Sequence, residues 1–87
     1  MEAIYDVRAT TAPDHLEVAR ELVETQLEAA HYLVREIAVV DREPGSVELV
    51  ATLAANAADP VELDRLTARL EAAAFIQHAS WSLRSPE

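Results

Sequence analysis

The sequence contains no cysteine, no lysine and a single glycine among its 87 residues. Without cysteine there is no disulfide framework, no thiolate metal ligand and no thiol nucleophile. One glycine cannot build a dinucleotide-binding or phosphate-cradling loop, because such loops need several positions free of Cβ. Every basic side chain is arginine, and seven of them face sixteen acids, for a net charge of −9 at pH 7. That surplus repels a phosphate backbone, so nucleic acid is not an expected partner. Apolar runs such as Ile37–Val40 fall far short of the roughly 20 residues that a membrane-crossing helix needs. The opening MEAIYDVRATT has neither a basic segment nor an apolar stretch, so no secretory signal is expected.

What is present suits one globular domain. About half the residues are apolar, with hydrophobic types at 51%, too many for a disordered acidic tail. A domain this small hides only about 60% of its unfolded surface, which leaves a thin core. We read residues 1–84 as a single domain and Ser85-Pro86-Glu87 as a polar tail.

Residues 3 to 10 alternate, with Tyr5, Val7 and Ala9 on one face, which predicts a half-buried strand. Thr11 can cap a helix, with Pro13 in its first turn and Asp14 three residues on. That helix is expected to run to about Ala30. Leu16, Val18, Ala19, Leu22, Val23, Leu27, Ala29 and Ala30 take one half of it; Glu17, Glu21, Glu24 and Glu28 take the other. His31 to Arg42 reads as a second strand with broken alternation: Leu33, Ile37 and Val39 share one face, Val34, Ala38 and Val40 the other. Pro44-Gly45 makes a turn, and Ser46 to Ala54 alternates cleanly as a third strand. Asn56 to Ala58 is linker. Asp59-Pro60-Val61-Glu62 starts a second helix with the apolar stripe Leu63, Leu66, Leu70, Ala73 and Ala74. A last strand runs from about Phe75 to Arg84, with Ala79, Trp81 and Leu83 inward.

The order β-α-β-β-α-β predicts an α+β, ferredoxin-like two-layer sandwich: a four-stranded antiparallel sheet with both helices on one face. The other sheet face then has no cover.

No residue set points to chemistry. The four-glutamate stripe is a linear row, not the octahedral arrangement that magnesium demands, so it reads as a solvated helix face. His15, His31 and His78 are never three or four residues apart, so no helical metal pair forms. Ser46, Ser80, Ser82 and Ser85 lie in no GxSxG elbow. We therefore expect no catalytic residue, no cofactor site and no metal site. The candidate surface is the uncovered sheet face, where Ile4, Asp6, Arg8, Val50, Thr52, His78, Ser80 and Ser82 are expected to gather. This mixture of apolar and polar side chains suits a transient protein interface, including pairing of two copies.

The strand-helix order also resembles an ACT-type regulatory module. Such modules bind amino acids near a glycine in the first strand-helix loop, but here residues 10 to 15 read TTAPDH, without glycine. A closer resemblance covers nearly the whole chain. The segments YDVRATT, ELVETQLEAAHYLV, VELVATLAA, LDRLTARLE and FIQHASW, with Ile76, Ala79 and Trp81 in the last, resemble the carboxy-terminal domain of MgtC/SapB family proteins. The resemblance implies an ACT-like, non-catalytic regulatory or interaction domain on the cytoplasmic side of the bacterial inner membrane. It would follow several membrane spans of the same protein, in a family tied to low-magnesium growth and survival inside macrophages. The resemblance brings no functional residue to this segment. Its implied partners are proteins: the membrane portion of the same chain, and a second copy. An amino-acid-sensing ACT module is the alternative.

Overall fold

The computed structural model describes residues 3–55 and 58–84. The linker expected at 56–58 and the tail at 85–87 therefore lie wholly or mainly outside the described residues. Strand β1 (Ala3–Thr11) leads through a short 3-10 turn (Pro13–His15) into helix α1 (Leu16–Ala29). Strands β2 (Val34–Glu43) and β3 (Ser46–Ala55) form a hairpin, followed by helix α2 (Pro60–Glu71) and strand β4 (Ile76–Arg84). The sheet has the order β2-β3-β1-β4, with every neighbouring pair antiparallel. This is the α+β arrangement that the element order predicts.

The hairpin turns on Pro44-Gly45. Proline holds φ near −65°, and Gly45 takes φ 88°, the pairing that a type II turn requires. Helix α2 starts where its sequence signature places it. Asp59 caps it by accepting the Val61 N–H at 3.0 Å, and Pro60 fills the first turn, where no backbone donor is needed.

The start of α1 differs from expectation. Thr11 is not its cap; it is the last, fully buried residue of β1, and its hydroxyl donates to the Phe75 carbonyl at 2.6 Å. A buried hydroxyl must find a partner, and the carbonyl before β4 supplies it. The end of α1 explains the late start of β2. His31 N–H donates to the Glu28 carbonyl at 3.0 Å, and Tyr32 N–H to the Leu27 carbonyl at 2.9 Å. This is a Schellman cap, with His31 at φ 65° in the position glycine usually takes. His31 and Tyr32 thus belong to the helix stop, and pairing begins at Val34.

The broken alternation of β2 comes from a register shift between Val34 and Glu36. Val34 faces Leu53 and Ile37 faces Ala51, so both pack on the core, with Arg35 as the extra residue. Leu33, expected beside Ile37, is 70% exposed.

The core fills the space between the sheet and both helices. Val7, Ala9, Leu49, Ala51, Leu53, Ile76 and Ala79 meet Ala19, Val23 and Leu27 of α1 and Leu63, Leu66 and Leu70 of α2. Each fully buried leucine contributes about 1.5–3 kcal/mol. The buried stripe of α1 is narrower than its apolar half, since Val18 and Ala29 remain exposed. On α2, the stripe ends before Ala74, which lies past the helix and is exposed. On β4, Trp81 and Leu83 face the helix side as expected, opposite Val7 and Tyr5, but neither is fully buried. Leu83 pairs with Tyr5 on the helix side but is 54% exposed, because it lies beyond the cover of the helices. Trp81 is partly buried at the edge of the core; its ring lies 6.1 Å from that of Tyr5, and its Nε1 donates to Asp64 at 2.8 Å.

Candidate interaction face

The sheet face turned away from the helices takes every second residue of each strand. The register sets Asp6 between Thr52 and Ser82, Arg8 between Val50 and Ser80, and Ile4 beside Arg84. Seven of the eight expected face residues therefore form one patch across β3, β1 and β4. His78 lies level with Thr10 at the end of this face, but its ring turns to the sheet edge. There its Nδ1 lies 3.2 Å from Glu71, and the same carboxylate oxygen accepts the Ala79 N–H at 3.1 Å.

Asp6 occupies the middle of an uncovered face and yet is only 2% exposed. Its cover is Arg84. Both carboxylate oxygens accept from Arg84 Nη2, at 2.9 and 3.0 Å, and one also accepts from Nε at 3.2 Å. Thr52 Oγ1 donates to the other oxygen at 3.0 Å. Arg8 approaches from the far side, with Nη2 at 3.8 Å from Asp6 and Nη1 donating to Ser82 Oγ at 2.6 Å. A carboxylate removed from water is tolerated only when it is paired and hydrogen-bonded, and this one has both. Two guanidinium groups against one carboxylate leave a local positive surplus in a chain of net charge −9.

Arg84 is the residue that the sequence reading missed. The signal was available, since Ser80, Ser82 and Arg84 share the outward phase of β4. Its role depends on a bidentate reach across to β1, which alternation does not encode.

Elsewhere the polar groups are spent on the fold. Among the described residues no buried side-chain nitrogen or oxygen lacks a partner, and no group of three or more His, Asp or Glu residues could hold a metal ion. The loop expected of an amino-acid sensor is built from Thr11, bonded to Phe75, and from His15, whose ring lies 6.3 Å from the Phe75 ring. Concave surface lies along α1, over Glu17, Val18, Arg20, Glu21 and Glu24, and beside it over Leu22, Thr25 and Phe75. Tyr32 ties the end of α1 to the start of α2: its hydroxyl donates to Glu62 at 2.9 Å and accepts the Asp59 N–H at 3.3 Å. Burial raises the pKa of this phenol. The Asp59 backbone bond opposes that rise, and the carboxylates of Glu62 and Asp59 add to it.

Residues 5–81 match the family model of the MGTC/SAPB C-terminal domain. The chain belongs to this family. Among solved structures, it is similar to the solution structure of the C-terminal domain of the MgtC protein from Mycobacterium tuberculosis. That likeness has a TM-score of 0.83 and 20% sequence identity, over 95% of this chain and 88% of the other. It is also similar to a de novo designed protein, Foldit4, with a TM-score of 0.62 and 15% identity, over 97% of this chain and 94% of the design. A search of curated proteins found no match. The second likeness shows that the architecture alone carries no function, since an invented sequence adopts it too. For this MgtC/SapB C-terminal domain, function must therefore be argued from its surfaces. No helix among the described residues is long and apolar enough to cross a membrane.

Proposed function

We propose that this domain is a non-catalytic regulatory and interaction module of a bacterial MgtC-family inner-membrane protein. It sits on the cytoplasmic side and acts through protein contacts, first of all with the membrane portion of its own chain. Growth under low magnesium and survival inside macrophages are the settings in which it serves.

The observation that carries this reading is the ion-pair network on the uncovered sheet face. Asp6, Arg84, Arg8, Thr52 and Ser82 hold one another in place, beside the half-buried Ile4 and Val50. Such a surface is already ordered before contact, so a partner loses little side-chain freedom in meeting it. Its guanidinium groups keep donors free for a partner's carboxylates or carbonyls. Sensing of a small ligand has less support, because the first loop spends its hydroxyl on Phe75 and has no glycine.

A thermal-shift panel of amino acids and divalent cations separates the two readings. A ligand at a hundredfold excess over its Kd adds about 2.7 kcal/mol, which raises the midpoint of a domain this size by about 10 °C or more. The interaction reading predicts no shift with any member of the panel. A shift with one amino acid, lost on substitution in residues 10 to 15, would replace it with the sensing reading.

A further inference from the structure

Helix α1 carries two apolar stripes, and the fold buries one. Ala19, Val23 and Leu27 pack into the core. Beside them, Val18, Leu22, Thr25 and Ala29 recur at spacings of four, three and four, the rhythm of a seam between two interlocking helices. Val18 is 43% exposed, Leu22 is half-buried, and Thr25 and Ala29 are exposed. Phe75, from the connection into β4, deepens this stripe: with Val18, Leu22 and Thr25 it lines a hollow that Glu21 borders.

A helical seam of this kind has a flank on each side, and the two flanks differ. One belongs to the fold: Ala19 is buried, and Gln26 accepts from Arg69 Nε of α2 at 3.0 Å. The other faces solvent and holds Glu21 and Glu28, both exposed. Among the described residues neither has an ion-pair partner; the nearby pair joins Arg20 to Glu24, at 3.8 Å. An exposed apolar stripe with an unpaired acidic flank fits an occupant that is apolar and basic in the same pattern. Like charge opposes a second copy, since each α1 brings four glutamates against one arginine. It opposes an anionic bilayer surface for the same reason.

We infer that α1 docks a basic amphipathic helix of a partner protein. An aliphatic side chain of the partner seats between Val18, Leu22 and Phe75, and its lysines or arginines meet Glu21 and Glu28. Thr25 and Ala29 are small, so the seam is shallow and suits a transient contact. This surface lies on the helix side, away from the Asp6 face, so the inference does not rest on the proposed function.

The probe is a labelled peptide of about three heptads, with leucine at the seam positions and lysine at both flanks. Its own like charges keep it from pairing with itself. Fluorescence anisotropy at about 0.15 M salt is expected to show saturable binding, with amide shifts clustered at Val18, Glu21, Leu22, Thr25 and Phe75. Alanine in place of the peptide's leucines, at unchanged charge, is expected to weaken binding about tenfold or more. E21K/E28K is expected to do the same, and to bind a twin peptide whose flanks are glutamate. E36K/E43K makes the same change of net charge on β2 and is expected to leave the affinity within about twofold. No binding up to ~1 mM, or an alanine peptide that binds as tightly, would overturn the inference. So would E36K/E43K weakening binding as much as E21K/E28K, a glutamate twin that fails to bind E21K/E28K, or shifts centred on the sheet face.

Discussion

Arg84 closes over Asp6 from the end of the last strand, with its Nη2 at 2.9 and 3.0 Å from the two carboxylate oxygens. The partners are 78 positions apart in sequence, and adjacent strands bring them together. Asp6→Ala would leave two guanidinium groups without their shared partner. Their side chains are 34% and 52% exposed, so water replaces part of the loss. The expected cost is about 1–3 kcal/mol, below the full penalty for breaking a buried pair. Urea unfolding of Asp6→Ala, Arg84→Ala and the double variant would give a coupling of about 1 kcal/mol or more. Additive single effects would show that the pair contributes nothing of its own.

His31 holds φ 65° at the end of α1, a conformation that costs a residue with a Cβ about 1–2 kcal/mol. Glycine avoids that cost but gains freedom in the unfolded chain. His31→Gly is therefore expected to raise stability by roughly 0.5–1 kcal/mol, and His31→Val to lower it. The order of denaturation midpoints checks this, and a less stable glycine variant would contradict the capping account.

Trp81 is partly exposed and donates to Asp64 at 2.8 Å. The inward phase of β4 alone predicts a loss of about 3–5 kcal/mol for Trp81→Ala, the range for a fully buried aromatic. At the margin of the core we expect about 2 kcal/mol, with Trp81→Phe costing about 1 kcal/mol for the missing hydrogen bond. Equal losses for the two variants would mean that the hydrogen bond, not the packing, dominates.

The chain has no lysine and no cysteine, so neither amine nor thiol side chains overlie the titration of Tyr32 at alkaline pH. The folded-state pKa of Tyr32 is raised, so the unfolded chain releases this proton first. The stability it contributes is fully present below about pH 10 and is lost as pH rises through the folded-state value. Tyr32→Phe should flatten the alkaline fall in midpoint above about pH 10. An unchanged slope would show that Tyr32 keeps an ordinary pKa.

Element order, hairpin turn and the α2 cap were legible in the sequence because each is a local signal. Asp59-Pro60 and Pro44-Gly45 state their conformations within a few residues. The errors arose where a long-range partner decided the outcome. Thr11 looks like a helix cap until Phe75 is brought beside it, and the faces of Leu33 and Val34 depend on a bulge that β3 reveals. Seven of the eight face residues followed from alternation alone. His78 did not join them, since Glu71, from another element, draws its ring to the edge. Arg84 was missed for the converse reason: its phase was readable, but its closure over Asp6 was not.

The central claim is that the uncovered sheet face meets protein, with the membrane portion of the same chain as its first partner. The direct test is an amide shift map of the isotope-labelled domain as the membrane portion, in detergent micelles, is added. The account predicts changes clustered at Asp6, Arg8, Val50, Thr52 and Ser82, abolished by Asp6→Ala. Changes confined to residues 12 to 22, or none at all, would contradict it.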